Sequence, residues 1–218
     1  MEGSKLIPCD NVKYLGLFLD NNLSWDFHVN QLSKKLSRAN GILAKIRHFL
    51  PTKILISVYY AIFYSHIIYG CSIWSLTTKI NIDIITVLQK KCIRIINFAP
   101  FNSHTNELFI KNQLLKLEDI IKIEQLKLIF DFKNKKLPKD LQTLFQLNSE
   151  IHSHTTRNVR KEGIYVPQIN TNTYGNKSIR YSAPVLWNTL LKTNSEINNI
   201  KVLSTLKVYL KKYYLTYY

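Results

Sequence analysis

The stretch from Ile54 to Ser75, ILISVYYAIFYSHIIYGCSIWS, carries no charged side chain, and the charge-free run continues to Thr78. Pro51 and Thr52 precede it as a helix-start signal. On a helical projection its apolar and aromatic residues fall on every side, which suits either the centre of a globular core or a membrane span. Tyr59, Tyr60, Tyr64 and Tyr69 are spread through the run instead of forming a belt at its ends, and a histidine at mid-depth is costly in lipid. The reading is a buried core helix, with His66 as a hydrogen-bonded core residue and no membrane as partner.

The rest of the composition fits a folded, helix-rich chain. At 218 residues it holds one large domain or two small ones, with 46% hydrophobic and 12% aromatic residues. Six glycines and six prolines leave room for long helices and few tight turns. The net charge is +16, with the excess concentrated towards the C-terminus. A basic globular chain favours polyanions as partners. Cys9, Cys71 and Cys92 lie in no metal-ligand spacing and imply a reducing, intracellular setting, nucleus or cytoplasm. Residues 1–11 have no apolar core segment, so secretion is not expected. The chain begins almost within a strand pattern, as a piece of something longer would.

Val12 to Asp20, VKYLGLFLD, predicts a strand or hairpin around Gly16, with Asn21-Asn22 as turn residues. Ser24 is placed to cap a helix with Asp26 in its first turn. Trp25, Val29, Leu32, Leu36, Ala39, Leu43, Ile46 and Leu50 then recur at steps of four and three, one apolar seam along a helix over 24–50. Lys34, Lys35 and Arg38 lie mainly off that seam. Pro51 ends the helix, so 24–50 is expected to fold back on 53–76 as a hairpin. Further helices are predicted over Ile82–Phe98, broken by Ala99-Pro100, over Asn106–Leu115, Leu117–Lys135, and from Pro138 to about Phe145. Residues 149–180 read as a polar loop region with a short strand over Gly163–Ile169. Tyr181–Leu191 and Ile200–Leu215 read as helices.

Catalytic chemistry is sparse. Two-metal phosphoryl transfer needs converging carboxylates, yet the chain has no Asp-Asp pair. Glu118-Asp119 sits in a first helical turn, where the macrodipole accounts for it. No GxxxxGK[ST] or GxGxxG loop is present. His152-Ser-His154 lacks further ligands at suitable spacing. The residues alone describe no complete enzyme.

Several short stretches, in order along nearly the whole chain, carry a resemblance. Val12-Lys13-Tyr14-Leu15-Gly16 with Leu19-Asp20, Leu23-Ser24-Trp25 and His28 is similar to a "KYLG…LD…L.W..H" pattern. Tyr69-Gly70 with Ile73-Trp74, Leu88-Gln89-Lys90-Lys91-Cys92-Ile93-Arg94, His154-Thr155-Thr156-Arg157 and Leu186-Trp187-Asn188 follow as "YG..iW", "lQ…iR", "TR" and "lWN". Together they resemble the segment after the palm in reverse transcriptases of non-LTR, jockey-like retrotransposons.

That resemblance implies a mainly α fold: a primer-grip-like β-hairpin (1–22), a helical thumb- or connection-like bundle (23–148), and a basic, loop-rich segment with C-terminal helices (149–218). Tyr14, Leu15 and Gly16 would be primer-grip positions, and Lys34, Lys35 and Arg38 phosphate contacts of the thumb. The partner implied is an RNA–DNA template–primer duplex, alongside a palm domain on a longer product. The family's catalytic aspartates have no counterpart, so the chain is expected to be inactive alone and to hold no cofactor. The Mg2+ of the parent polymerase would sit in the absent palm. The pattern departs from the family at Leu190-Leu191-Lys192, where a proline is usual. Arg157, Arg160, Lys161, Lys177 and Arg180 are candidates for a second basic patch, and Tyr174 and Tyr181 for base stacking. The basic residues suit sequence-independent phosphate contact, and the tyrosines suit stacking on bases. The alternative reading is a non-catalytic helical interaction module, or a relic without function.

Overall fold

The computed structural model describes residues 9–151, 163–171 and 175–218. The chain divides into two compact units, Met1–Leu108 and Phe109–Tyr218. The predicted hairpin, bundle and C-terminal helices are all present among the described residues.

The first unit opens with β1 (Asn11–Tyr14) and β2 (Leu17–Asp20), an antiparallel pair in the register Asn11↔Asp20 to Tyr14↔Leu17. Leu15 and Gly16 form the two-residue turn, both with positive φ (46° and 84°). Two positive φ values are the signature of the hairpin turn whose twist matches that of the strands. The Asp20 carboxylate gathers the following turn, accepting from the backbone amides of Asn22 (3.1 Å), Ser24 (2.8 Å) and Trp25 (2.9 Å) and from the Ser24 hydroxyl (3.2 Å). The Ser24 hydroxyl accepts from the Asp26 amide (3.2 Å), the first of the next helix, from one residue before the cap position. Trp25 occupies the cap position in left-handed geometry, and the turn owes its shape to Asp20.

Helix α1 (Asp26–Ile46) buries Val29, Leu32, Leu36, Ala39 and Leu43 as the seam predicts, while Ile46 and Leu50 are half-buried at its end. Pro51 precedes α2 (Thr52–Tyr59), which passes through a π-helical segment (Tyr60–Tyr64) into α3 (Ser65–Ile68). Only one line of this run is buried: Leu55, Tyr59, Phe63, Ile67, Cys71 and Trp74. A spacing of four drifts around an α-helix, and the wider π turn takes up that drift and keeps Tyr59, Phe63 and Ile67 on one side. Ile54, Tyr60 and His66 lie on the exposed side. The run is thus a one-sided helix, and His66 is no core residue.

At Tyr69 the backbone leaves helical geometry. Gly70 turns it through the left-handed region (φ 62°), and α4 (Cys71–Trp74) follows. Helix α5 (Lys79–Ile96) begins at Thr78, whose side chain accepts from the Asn81 amide. α1 folds back on α2–α3 as expected and also packs against α5, so the unit is a bundle of α1, α2–α3 and α5. Polar side chains join the helices. Asn81 Nδ2 donates to Asp26 Oδ1 (2.6 Å), Asn40 Nδ2 to the Leu88 carbonyl (3.0 Å), and Gln89 Nε2 to the Tyr59 hydroxyl (3.1 Å).

In the second unit, α7 (Leu117–Lys133) packs against α10 (Ile179–Thr193) and α11 (Leu203–Leu215), reached through α6 (Asn106–Lys111), α8 (Lys139–Gln142) and α9 (Asn148–Ile151). Leu126, Ile129, Phe130, Trp187, Leu206 and Leu210 lie in its core. The expected strand over Gly163–Ile169 reduces to one bridge, Leu147↔Ile164. Ile164 is instead held by Asn188, which accepts from its amide (2.9 Å) and donates to its carbonyl (2.7 Å). Among the described residues no helix is long and apolar enough to cross a membrane.

Scarcity of glycine shows at the helix ends. α5, α6 and α7 each close with a paired-bond turn whose left-handed residue is Phe98 (φ 54°), Gln113 (51°) or Lys135 (55°). At α5 the Ala99 amide donates to the Arg94 carbonyl (3.0 Å) and the Phe98 amide to that of Ile95 (3.3 Å). Glycine usually fills this position because a side chain there is strained.

Candidate nucleic-acid interface

The hairpin turn and the Tyr69-Gly70 pair, read separately along the chain, meet in space. The Tyr69 hydroxyl donates to the Leu15 carbonyl. Its ring lies so close to Gly16 that a Cβ there would stand 3.3 Å from Tyr69 Cε1. On the other side, a Cβ on Gly70 would fall 2.9 Å from Leu17 Cδ2. Both glycines are favoured by their positive backbone angles, and at Gly16 the Tyr69 ring adds a close approach. The turn this clamp holds is open to solvent, with Tyr14 and Leu15 at 65% and 73% exposure.

His28 fastens the hairpin to α1. Its Nδ1 accepts from the Phe18 amide (3.4 Å), and its ring packs among those of Phe18, Trp25 and Trp74. Burial, with the Lys35 charge as a lesser cause, lowers the imidazole pKa from its ordinary 6.5. The neutral ring is therefore the form that fits. The buried histidine of this unit is His28, not His66. Its signal in the sequence was the spacing of Trp25 and His28 on one side of the helix.

Lys34, Lys35 and Arg38 all lie exposed on α1. Beside them run Ser33, Ser37 and Gly41, and a Cβ added at Gly41 would meet nothing within 4 Å. That glycine answers no packing need, yet it weakens an exposed helix by about 1 kcal/mol relative to alanine. It leaves bare backbone next to the cations. Across from Ser33 and Ser37, α5 presents Ile80, Ile84 and Val87 outward and forms one wall of a shallow groove. Sequence periodicity missed this wall, because polar Asn81 and Gln89 face inward in its place. Between Phe27 and Asn106 the chain has a single acidic residue, Asp83, against ten lysines and arginines.

The second unit holds the remaining candidates. Lys177 is half-buried just before α10, Arg180 is exposed in its first turn, and Tyr181 is half-buried beside it. Arg157 and Lys161, with Arg160, His152, His154 and Tyr174, lie outside the described residues. The Leu186-Trp187-Asn188 stretch is structural. Trp187 is buried under Lys133 Nζ, 5.2 Å from its ring, and Asn188 holds Ile164. α10 runs on through Leu190, Leu191 and Lys192 to Thr193. Asp119 of the acidic doublet accepts from Tyr218 Oη (2.8 Å) and pairs with Lys122 (3.0 Å).

Over 126 residues, 56% of the chain, the sequence is 26% identical to the RNA-directed DNA polymerase from mobile element jockey of Drosophila funebris, and the match makes up 14% of that protein. The corresponding protein of Drosophila melanogaster is 27% identical over 111 residues, 49% of the chain and 12% of the relative. The matched stretch is related to the reverse transcriptase of a non-LTR retrotransposon, and it spans only about an eighth of the length of these curated relatives. No family model and no solved structure matches the chain.

Proposed function

We propose that the first unit binds nucleic acid through its phosphate backbone, as a thumb-like element of a retrotransposon reverse transcriptase. The observation that carries this reading is the exposed Lys34, Lys35 and Arg38 on α1 beside the bare backbone of Gly41. Point charges next to a smooth helix surface suit a uniformly charged rod and read no base sequence. The clamped turn of Tyr14, Leu15 and Gly16 is the second contact, at the end of a primer strand. Lys177 and Arg180, with Arg157 and Lys161, are proposed as an additional basic patch. The occupant of the first unit is an RNA–DNA duplex. With no Asp-Asp pair in the sequence, the contribution proposed for this chain is grip and not polymerase chemistry.

The test is binding of the purified chain to an RNA–DNA duplex across a salt series. Affinity should fall steeply with salt, and replacing Lys34, Lys35 and Arg38 together by alanine should flatten the slope by about three phosphate contacts. Weak binding with no salt dependence would overturn the proposal. The outward Ile80, Ile84 and Val87 favour a second reading, a helical interaction module. Self-association lost on Val87→Lys, with no duplex binding, would establish that reading instead.

A further inference from the structure

Three phenylalanines stand in water around the C-terminal ends of α1 and α5. Phe49 is 84% exposed, Phe101 83% and Phe98 51%. Phe49 and Phe101 forgo most of the free energy that burying their rings would supply, and Phe98 about half. An arginine stands beside each of two of them, Phe98 and Phe101. The Arg47 guanidinium lies 5.0 Å from the Phe98 ring centre, the His48 ring meets Phe98 edge-on at 5.7 Å, and Arg94 lies 5.9 Å from the Phe101 ring centre. Arg94 is steadied by its Nε, which donates to the Ser103 carbonyl (3.0 Å). Neither contributing stretch, 45–53 or 90–104, contains an acidic residue.

Backbone strain marks the same place. Phe98 occupies the left-handed position that ends α5, where glycine is the relaxed choice. The same closure recurs with Gln113 and Lys135 at the ends of α6 and α7, and at this end it sets an aromatic ring outward, 51% exposed. The outward stripe of α5, Ile80, Ile84, Val87 and Lys91, leads along the helix to this corner.

We infer that Phe49, Phe98 and Phe101, with Arg47 and Arg94, form a binding site for single-stranded nucleic acid. Bases in a duplex hide their faces in the stack, so only unpaired bases can lie on exposed rings. The guanidiniums then meet the intervening phosphates, and the absence of carboxylates leaves the polyanion unopposed. The site shares no residue with the α1 surface proposed for duplex and stands or falls apart from it.

The test compares the full-length chain with Phe49→Ala/Phe101→Ala, reading anisotropy of labelled oligo(dT) and of an RNA–DNA duplex at physiological salt. The double variant should bind oligo(dT) about tenfold more weakly or worse, with duplex binding unchanged. Phe98→Gly should also weaken oligo(dT) binding while the thermal midpoint does not fall, since glycine suits that backbone. This separates loss of a stacking surface from loss of fold. Unchanged oligo(dT) affinity in both variants would overturn the site. So would loss of phosphatidylserine-vesicle binding with oligo(dT) binding intact, which would assign the rings to an anionic membrane surface. Lys34→Ala/Lys35→Ala/Arg38→Ala serves as the converse control, expected to lose duplex binding and to keep the ring-dependent difference in oligo(dT) binding.

Discussion

The hydroxyl of Tyr69 donates to the carbonyl of Leu15, across 54 residues of chain, and this bond closes the hairpin turn onto the helical bundle. An isolated two-stranded hairpin is marginal in water. β1 is exposed along its whole length and brings little burial of its own. The turn is therefore ordered from outside, by Tyr69 above Gly16 and by Leu17 against Gly70.

Tyr69→Phe keeps the ring and removes the donor. Losing that bond should cost about 1 kcal/mol, confined to the hairpin. Amide exchange at Tyr14 to Leu17 should speed up while the α1 core amides stay protected. Gly16→Ala should cost more, about 1–3 kcal/mol, because the new methyl group meets the Tyr69 ring in a backbone region where side chains are strained.

Stability of the first unit should fall on mild acidification. The His28 pKa is lowered by burial first and by Lys35 second. A base whose folded pKa is depressed stays neutral in the native state while the unfolded chain takes up a proton. Its contribution is therefore complete above the ordinary value of 6.5 and is lost as pH falls below it. NMR titration should place the His28 midpoint below the ordinary 6.5, and His28→Asn should remove this part of the pH dependence.

Asp20 acts in a lower window. Burial opposes ionisation of its carboxylate, but the amides of Ser24 and Trp25, the Ser24 hydroxyl and the Asn22 amide outweigh it and hold the pKa below the usual carboxylate range. The stabilisation is present above that range and disappears as pH drops through the lowered value. Asp20→Ala should cost about 1–2 kcal/mol at neutral pH, the scale of a lost helix cap, and Asp20→Asn should recover only part of it.

How much of this was legible beforehand depends on where each residue's partner lies. The α1 seam could be read because every member repeats on one helix and meets a continuous core. The line Leu55, Tyr59, Phe63 and Ile67 could not be separated from its apolar neighbours, because Ile54 and Tyr60 have the same character and differ only in facing water. On α5 the pattern ran against the outcome. Asn81 and Gln89 turn inward because Asp26 and Tyr59 wait for them on other elements, and Ile80, Ile84 and Val87 are left outside. Among the candidate site residues, Lys34, Lys35 and Arg38 were visible as charges off a seam. Gly41 and Tyr69 acquire meaning only once empty space around one and the Leu15 carbonyl beside the other are known.

Gly41 gives the sharpest separation of stability from function. Its position is mid-helix and exposed, and a Cβ there meets nothing. Gly41→Ala should therefore stabilise the first unit by about 0.5–1 kcal/mol, as alanine does in an open helical site. If the bare backbone exists to let a phosphate strand approach between Lys34, Arg38 and Lys45, the same change should weaken RNA–DNA duplex binding. The salt slope should be kept, since no cation is lost. Urea unfolding and duplex titration on one preparation read both effects. A higher unfolding midpoint with unchanged affinity would mean that the duplex does not touch this face of α1, and the phosphate contacts would then have to be sought elsewhere on the helix.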